Sequence, residues 1–327
     1  MNILEVATRE IVNIGTIENK KYFHIALTGT DNYVPYIGIA MMSMYANNPS
    51  FPMMFHLFLN DISSEDKERM KTLVKKWGGV VVLHLMNDDA FKSLISKDKS
   101  SVFFYRFVIA DLLKGQAERV LYIDGDVMCN GSLEVLDSID FENHVAGVIT
   151  DRFQLKQMKR HGTQAFFNAG VMLINIDEWC QQKIMQKCIS LAHQFIEESK
   201  TKHVRYDDQI ILNKILNGKT LYLPIKYNYL YNLSHRRVYQ KEIKNKSYKE
   251  QVILHFAGHI KPWHSWVGYK DVVKEYLAIK KQSPWADLPL SEASTHKLKH
   301  QLAREYRSQG KYIQMVGAYF RYFKARF

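Results

Sequence analysis

The chain of 327 residues lacks the marks of a membrane-spanning or exported protein. No stretch of apolar residues is long enough to span a bilayer. The N-terminal segment carries Glu5, Arg9, Glu10 and Glu18 and has no continuous apolar run, which is unlike a signal peptide. These absences predict a cytoplasmic protein.

Cysteine is scarce, and several catalytic signatures are missing. Cys129, Cys180 and Cys188 form no C-x-x-C pair, which predicts inert thiols in a reducing compartment. Neither G-x-G-x-x-G nor G-x-x-x-x-G-K-[ST] occurs, so a dinucleotide oxidoreductase and a P-loop enzyme are disfavoured. The motifs G-x-S-x-G and H-E-x-x-H are absent too.

Positive charge is in excess and is unevenly placed. The formal net charge is +12, and more than half of it lies from residue 295 onwards. That segment contains one acid, Glu305, and eight bases: Lys297, Lys299, Arg304, Arg307, Lys311, Arg321, Lys324 and Arg326. Such a concentration predicts an anionic partner, and membrane lipid, phosphorylated glycolipid and nucleic acid are the alternatives.

Apolar runs alternate with amphipathic stretches along most of the chain. The predicted strands are 22–28, 55–59, 80–85, 119–123, 145–149, 170–175 and 252–254. The predicted helices are about 33–47, 63–77, 102–113, 177–199 and 207–217. The first has Met41, Met42, Met44 and Tyr45 inward, and the second has Ser63 or Ser64 as its N-cap. This alternation is typical of an α/β fold, with a mostly parallel sheet and helices on both faces.

Two acids directly follow the predicted strand at 119–123. Asp124 and Asp126 flank Gly125, and because side chains alternate along a strand, both carboxylates point the same way. Open α/β sheets bind ligands at the carboxyl ends of their strands. Two like charges this close favour a cation between them. We interpret the pair as a site for a divalent ion that bridges to a substrate diphosphate, and a turn at Asp-Gly is the alternative.

A second cluster follows the last predicted strand. Neutral imidazole, here His255, is a good ligand for Mn²⁺ or Zn²⁺ and a poor one for Ca²⁺. Lys261 could hold a phosphate as a mobile point charge. With Gly258 between them, these residues could complete a metal–diphosphate site, and a hydrogen-bonded loop histidine is the alternative.

Three further segments have both a functional and a structural interpretation. Asn168 precedes a buried strand, where it could bind sugar hydroxyls or form a turn. Residues 206–209 (Y-D-D-Q) begin a helix, where acids also suit the helix dipole. Residues 30–33 (T-D-N-Y) follow the first strand, where they could hold a nucleotide with the ring of Tyr33 on the base, or cap a helix at Asp31.

The order of these segments resembles one family. The motifs are T-D-N-Y at 30–33, F-Y-R at 104–106, R-V-L-Y-I-D-G-D-V at 119–127, F-N-A-G-V-M-L-I-N at 167–175, Y-D-D-Q-I-I-L-N at 206–213 and L-H-F-A-G-H-I-K-P-W-H at 254–264. Together they resemble the retaining family-8 glycosyltransferases, and most of all the bacterial lipopolysaccharide core glucosyl- and galactosyltransferases. The resemblance covers residues 22–285. We expect an N-terminal extension over 1–21, a catalytic domain over 22–285 and a basic C-terminal region over 286–327.

The resemblance implies a GT-A fold, a UDP-hexose donor and Mn²⁺ or Mg²⁺ as cofactor. It implies Asp124, Asp126 and His255 as metal ligands, with Gln209 facing the anomeric carbon and Asp208 beside it as the catalytic residues. Taken with the motifs, the expected donor-binding residues are Thr30, Asp31, Asn32, Tyr33, Arg106, Asp124, Gly125, Asp151, Asn168, Gly258 and Lys261.

Two positions depart from the family pattern. Many relatives carry an acid at the position of Thr30, whereas here the acid is Asp31, which leaves open how the base is held. Ile210 stands where some relatives have an acid, which favours a mechanism without a covalent intermediate. We therefore hypothesise that the carbonyl of Gln209 supports an oxocarbenium-like sugar while the acceptor attacks from the leaving-group face.

The C-terminal segment 315–327 has a helical period. Its apolar side comprises Val316, Phe320, Phe323 and Phe327, bordered by Tyr312 and Tyr319, and its basic side comprises Lys311, Arg321, Lys324 and Arg326. This pattern predicts a basic amphipathic helix in the interface of an anionic membrane, and a helix packed on the main domain is the alternative.

These features lead to one functional hypothesis. The protein transfers glucose or galactose from a UDP-sugar to a lipopolysaccharide core acceptor at the inner face of the cytoplasmic membrane. The alternative is a transferase of the same fold that acts on another glycan or on a protein. Nucleic acid is not an expected partner, because no recognition motif accompanies the basic segment.

Overall fold

The computed structural model describes residues 3–95, 100–201, 206–234 and 247–325. The strands in these ranges are β1 (Thr8–Ile14), β2 (Phe23–Gly29), β3 (Met53–Leu59), β4 (Val80–Met86), β5 (Arg119–Ile123), β6 (Val127–Cys129), β7 (Ala146–Thr150), β8 (Phe167–Asn175), β9 (Thr220–Tyr222), β10 (Tyr229–Leu230) and β11 (Ile253–His255). The α-helices are Ile3–Val6, Val34–Asn47, Ser64–Trp77, Val102–Tyr105, Ile109–Leu112, Glu134–Asp137, Leu155–His161, Ile176–Gln181, Ile184–Ser199, Asp208–Ile215, Asp271–Gln282, His296–Ser308 and Tyr312–Lys324.

A sheet of eight strands forms the centre of the molecule, in the order β1-β4-β3-β2-β5-β8-β7-β9. The pairs β2–β3, β3–β4, β2–β5 and β7–β9 are parallel, whereas β1–β4, β5–β8 and β7–β8 are antiparallel. Parallel neighbours need crossover connections, which the helices between β2, β3 and β4 supply. The predicted α/β fold with a mostly parallel sheet flanked by helices is confirmed.

The antiparallel strand β8 places its first residues at the carboxyl end of β5. Ile123 lies opposite Val171, and the backbone N–H of Asp124 donates to the carbonyl of Gly170 at 2.8 Å. Antiparallel pairing brings the end of one strand beside the start of the next. Asn168 and Asp124 therefore reach the same edge of the sheet.

A second sheet, in the order β10-β11-β6, carries the histidine to that edge. Strand β11 runs antiparallel to β6, with His255 opposite Val127. The backbone N–H of Phe256 donates to the carbonyl of Asp126 at 2.9 Å. Main-chain hydrogen bonds thus hold the end of β11 beside the Asp-Gly-Asp turn.

Apolar side chains cover both faces of the main sheet. On β2, Ile25 and Leu27 belong to the core beneath the helices Val34–Asn47 and Ser64–Trp77, while Ala26 belongs to the core on the opposite face. The predicted inward residues of the first helix are all buried: Met41, Met42, Met44 and Tyr45. Burial of one such side chain stabilises the fold by about 1.5–3 kcal/mol, so the helices hold the sheet firmly.

The second long helix begins and ends at residues with local signals. The Oγ of Ser63 accepts a hydrogen bond from the backbone N–H of Asp66 at 3.1 Å, which confirms Ser63 as the N-cap. Gly78, with a φ of 73°, ends this helix in the left-handed region that favours glycine.

Two predicted helices are divided. The single helix expected over 177–199 is wrong, because Lys183 has a φ of 54° and separates Ile176–Gln181 from Ile184–Ser199. A left-handed residue cannot continue a right-handed helix. The segment 102–113 likewise contains two short helices, Val102–Tyr105 and Ile109–Leu112.

An N-terminal edge strand was not predicted. Strand β1 pairs antiparallel with β4 and is exposed over much of its length, so its sequence, T-R-E-I-V-N-I, lacks the apolar run of a buried strand. The Nε of Arg9 donates to the carbonyl of Met86 at 3.0 Å. The expected N-terminal extension therefore contributes a strand to the main sheet.

The last two helices pack against each other and against the main body. Leu302, Ala303 and Ala318 are buried in the same apolar core as Tyr276. The buried carboxylate of Glu305 lies 3.1 Å from the Nζ of Lys270. Arg326 and Phe327 of the predicted amphipathic segment lie outside the described residues. Within the described ranges, no helix combines the length and the apolar character needed to cross a bilayer.

Candidate active site

Two carboxylates and one imidazole meet at the carboxyl end of β5. The Nε2 of His255 lies 3.3 Å from Oδ1 of Asp126 and 3.9 Å from Oδ2 of Asp124. One ligand atom from each residue lies within 4.8 Å of the other two. The structure thus brings the three predicted metal ligands together.

The space among these ligands fits a metal ion. Carboxylate oxygen and imidazole nitrogen are both accepted by divalent ions such as Mn²⁺. Gly170 borders the cluster, and a Cβ there would lie 2.3 Å from Cε1 of His255 and 2.6 Å from Oδ2 of Asp124. Among the residue types, only glycine leaves the ligands in place.

The charges of the cluster are strongly coupled. Burial would raise the pKa of Asp126, but Lys261 and His255 lower it well below its ordinary value, so the carboxylate stays ionised. Burial would lower the pKa of His255, but Asp126 and Asp124 raise it above its ordinary value. A cation at Nε2 therefore competes with a proton.

Arg106 joins the metal-ligand cluster to the start of the helix Asp208–Ile215. Its Nη2 donates to Oδ1 of Asp124 at 3.2 Å, and its Nη1 lies 3.0 Å from Oδ2 of Asp208. The guanidinium also lies over the ring of Tyr122, 4.6 Å from its centroid. Arg106 is buried, so these contacts hold it in one orientation.

The capping interpretation and the functional interpretation of residues 206–209 apply to different residues. Asp207 is the N-cap, since its carboxylate accepts a hydrogen bond from the backbone N–H of Ile210 at 2.7 Å. Asp208 instead points to Arg106. Burial raises the pKa of Asp208 to about 6 against the opposing effect of Arg106. The capping interpretation is therefore confirmed for Asp207 and does not explain Asp208.

A network of amides surrounds Gln209. Its Oε1 accepts hydrogen bonds from Nδ2 of Asn168 and from the backbone N–H of Ala169, both at 3.2 Å. Its Nε2 lies 3.5 Å from Oδ2 of Asp151. The carbonyl oxygen of Gln209 thus has two donors, and its amide nitrogen is directed towards Asp151.

Two adjoining cavities, of about 380 Å³ and 320 Å³, have Phe103, Arg106 and Asp124 in their common wall. The lining of the first includes Asp151, Asn168, Asp208, Gln209 and Gly258. The lining of the second includes Thr30, Tyr33, Gly125, Asp126 and Lys261. Asp151 and Asn168 therefore lie on one side of Asp124, and Thr30, Tyr33 and Lys261 lie on the other.

Comparison with known proteins identifies the family. Residues 24–267 match Glycosyl transferase family 8, and residues 272–326 match the family's C-terminal region. The chain belongs to glycosyltransferase family 8. The lipopolysaccharide 1,3-galactosyltransferase of Salmonella typhimurium is 31% identical over 93% of this chain and 91% of that protein. The lipopolysaccharide glucosyltransferase WaaO of Escherichia coli is 27% identical over 90% of this chain and 88% of that protein.

Solved structures are similar in fold. The galactosyltransferase LgtC, crystallised with donor and acceptor sugar analogs, has a TM-score of 0.67 and 22% identity over 80% of this chain and 96% of that chain. The predicted GT-A fold and the predicted retaining family-8 glycosyltransferase are confirmed. The roles of individual site residues in this family-8 enzyme stay predictions.

The four residues predicted to hold the nucleoside do not converge. Thr30 and Tyr33 line the smaller cavity. The carboxylate of Asp31 instead accepts a hydrogen bond from the backbone N–H of Ser63 at 2.8 Å, and Asn32 is exposed. The acid next to Thr30 therefore stabilises a loop, and its contact with the base remains a prediction.

The predicted diphosphate residues of the family-8 enzyme flank the cluster. The Nζ of Lys261 contacts Asp126 and donates to the carbonyl of Phe256 at 2.8 Å. Gly258 has a φ of 97°, and a Cβ there would lie 2.8 Å from Nδ2 of Asn232, so this close turn requires glycine.

Sequence reasoning missed three residues that shape the site. Gly170 leaves room for the ligands, Asn228 accepts a hydrogen bond from Nδ1 of His255 at 3.0 Å, and the Tyr122 hydroxyl donates to Oδ1 of Asp124 at 2.6 Å. Tyr122 and Gly170 lie within the motifs at 119–127 and 167–175, where a tyrosine in an apolar strand and a glycine give no signal of a metal site by themselves. Asn228 lies in the aromatic run Y-N-Y, which offers no chemical signal.

A larger cavity of about 780 Å³ lies elsewhere, against the beginnings of β2, β3 and β5. Its lining mixes acids and bases, including Lys20, Lys21, Arg119, Glu18 and Asp137. Within the described part of the chain, no metal-ligand cluster borders it. Asp124, a candidate metal ligand, instead lines both of the smaller cavities.

Proposed function

We propose that this enzyme is a metal-dependent, retaining transferase of glucose or galactose from a UDP-sugar to a lipopolysaccharide core oligosaccharide. One observation carries the proposal: the Asp124–Asp126–His255 cluster opens onto cavities lined by carboxylates and amides. The named functions of the Salmonella and E. coli relatives support the acceptor class and the hexose.

The proposed ion is Mn²⁺ or Mg²⁺, held by Asp124, Asp126 and His255. When bound, it supplies positive charge for the departing nucleoside diphosphate. The nitrogen ligand favours Mn²⁺, since Mg²⁺ prefers an all-oxygen shell.

Charged residues of the chain support departure of the diphosphate. Lys261 lies beside Asp126 on a flexible stem, from which its Nζ reaches a phosphate oxygen by rotation. Arg106 holds the carboxylate of Asp124 in place. Preorganised charges of this kind stabilise the transition state without reorganising during the reaction.

Polar groups on the other side of Asp124 receive the hexose. Asp151 and Asn168 are the proposed hydroxyl partners, and Asp208 is held at the cavity wall by Arg106. Gln209 faces the anomeric carbon in this proposal. Because two donors engage its Oε1, support of the sugar through that oxygen requires the lone pairs to be shared or the amide to turn.

The helix Tyr312–Lys324 is the proposed contact with an anionic membrane face. Its apolar residues Tyr312, Ile313, Val316, Phe320 and Phe323 are exposed, up to 88% for Ile313. Lys311, Arg321 and Lys324 are exposed beside them. An exposed apolar stripe with flanking cations suits the interface of an anionic bilayer.

UDP release tests the reaction. The purified protein is incubated with UDP-glucose or UDP-galactose, with Mn²⁺ or EDTA, and with or without truncated lipopolysaccharide. We expect metal-dependent release from one sugar, accelerated by the acceptor, and its loss in Asp126→Asn. Equal release in EDTA and Mn²⁺, or no release with any acceptor, overturns the proposal.

Sedimentation with vesicles tests the membrane contact. We expect the protein to bind vesicles with anionic lipid and not neutral ones, and Val316→Asp with Phe320→Asp to abolish binding while UDP release by the soluble enzyme is unchanged. Val135→Asp, at an exposed apolar position outside this helix, is the control and should bind vesicles as the wild type does. Wild-type binding by the double variant overturns the assignment.

A further inference from the structure

A continuous chain of side-chain hydrogen bonds joins His255 to Gln209. The Nδ1 of His255 lies 3.0 Å from Oδ1 of Asn228, and Nδ2 of Asn228 lies 3.0 Å from Oδ1 of Asn168. The Nδ2 of Asn168 lies 3.2 Å from Oε1 of Gln209. This series of hydrogen bonds links β11, the start of β8 and the helix Asp208–Ile215.

Backbone amides fix the orientation of every group in this chain. The N–H of Gly170 is a donor only, and it lies 3.0 Å from one side-chain atom of Asn168, which must be the oxygen. The group of Asn228 that faces this oxygen must then be its NH₂. Its carbonyl therefore faces His255, so Nδ1 of the imidazole carries a proton.

The proton on Nδ1 determines that the other ring nitrogen of His255, Nε2, is the one that can bind a metal ion. An imidazole protonated at Nδ1 binds a cation through the lone pair of Nε2, which lies beside Asp126. The opposite end of the chain is fixed in the same way, because the N–H of Ala169 identifies the atom of Gln209 that faces it as Oε1. Both ends are thus set by main-chain donors of β8.

Asn228 is one of the two inner residues of this series and does not line either of the two cavities beside Asp124. It is 1% exposed, and its side chain makes one hydrogen bond as acceptor and one as donor. The 3₁₀ turn Ile225–Tyr227 sets its position, since its backbone N–H donates to the carbonyl of Ile225 at 3.1 Å. The amide satisfies both neighbours at once, since its carbonyl accepts one hydrogen bond and its NH₂ donates the other.

We infer that Asn228 is a positioning residue, which holds the imidazole of His255 for the metal and the amide of Asn168 for the sugar. This inference rests on the proposed function and extends it to a buried residue outside the metal-ligand cluster and outside the lining of the two cavities. Two variants, one isosteric and one truncated, separate the two tasks. In Asn228→Asp the carboxylate still accepts from Nδ1 of His255 but cannot donate to Asn168, whereas Asn228→Ala serves neither.

Mn²⁺ affinity of the donor-free protein and steady-state kinetics form the test. We expect Asn228→Ala to bind Mn²⁺ about 10- to 100-fold more weakly, as is typical when the hydrogen-bond partner of a ligand is lost. Asn228→Asp should bind Mn²⁺ at least as tightly as the wild type. Both variants should lower kcat for hexose transfer about tenfold or more at saturating metal.

Asn48→Ala is the matched control. Asn48 is also a buried asparagine, its side chain hydrogen-bonds the backbone of Met44, Gly131 and Leu133, and it lies outside the site. Its loss should lower the melting temperature without changing Mn²⁺ affinity. Three results would overturn the inference. In the first, Asn48→Ala weakens Mn²⁺ binding as much as Asn228→Ala does, and in the second, Asn228→Ala keeps wild-type Mn²⁺ affinity and kcat. The third is that Asn228→Asp binds Mn²⁺ weakly. Failure of the proposed function is a different result, because the wild type itself would then bind no Mn²⁺ or release no UDP.

Discussion

The Nη1 of Arg106 lies 3.0 Å from Oδ2 of Asp208, in a part of the site where both side chains are at most one-tenth exposed. The same guanidinium contacts Asp124 through Nη2. One cation thus compensates an acid from the metal-ligand cluster and an acid from the sugar side. Removal of either partner of such a buried pair leaves a charge without compensation.

Arg106→Met should destabilise the fold by about 3–5 kcal/mol, because Asp208 then loses its partner in a buried environment. Adding Asp208→Asn to Arg106→Met should recover part of the lost unfolding free energy. Hexose transfer should be abolished in Arg106→Met and in the double variant. Urea unfolding of the wild type, the two single variants and the double variant measures the coupling. Strictly additive effects would show that the ion pair does not contribute.

The stability contribution of Asp208 should depend on pH. Burial raises its pKa in the folded protein to about 6, above the value of about 4 in an unfolded chain. The folded state therefore retains this proton to higher pH. The contribution of Asp208 is present below about pH 4 and is lost as the pH rises through about 6.

Unfolding free energies of the wild type and Asp208→Asn, measured by urea between about pH 4 and 8, check this sign. The unfolding free energy of the wild type minus that of Asp208→Asn should fall as the pH rises to about 7 and then stay level. Asp287→Asn is the control, since the hydrogen bond from Arg69 lowers the pKa of Asp287 to about 2 and its contribution is constant above about pH 5. A difference for Asp208 that rises with pH contradicts the prediction.

Gly170→Ala should weaken Mn²⁺ binding on the order of tenfold or more, because the new Cβ displaces the ligands His255 and Asp124. Titration calorimetry with Mn²⁺ measures the effect, and circular dichroism verifies that the fold is retained. In the matched variant Gly268→Ala the nearest atom outside its chain neighbours is 3.6 Å away, so Mn²⁺ affinity should not change. Unchanged affinity in Gly170→Ala would exclude this steric role.

Lys261→Ala should raise the KM for the UDP-sugar and lower kcat, each about tenfold or more, since the charge beside the diphosphate is lost. Lys261→Arg should restore binding better than turnover, because a planar guanidinium cannot copy a mobile ammonium. UDP-release kinetics at saturating Mn²⁺ check both variants. Lys274→Ala, at an exposed ion pair with Asp271, is the control and should behave as the wild type.

The parts of the site that the sequence predicted are those with a short-range signal. Asp124 and Asp126 follow an apolar strand with the spacing that directs both carboxylates one way, and His255 ends another strand. These signals depend on neighbours in the chain. The structure brings all three together.

The residues that the sequence did not predict act between distant segments. Asn228 and Gly170 are ordinary in their local context and gain their roles only beside His255. The edge strand β1 and the division at Lys183 were also missed, because partial exposure removes the apolar pattern and a single left-handed residue leaves no periodic trace.

The sequence by itself determined the α/β alternation, the candidate metal ligands and the basic amphipathic character of the C-terminal helix, since each follows from residue type and local period. Only the tertiary structure decided that β8 runs antiparallel beside β5, that Asp207 caps while Asp208 pairs with Arg106, and that Asn228 links His255 to Asn168. The physical reason is that strand register and side-chain hydrogen bonds between remote segments depend on packing of the whole chain, whereas periodicity depends on a few neighbouring residues.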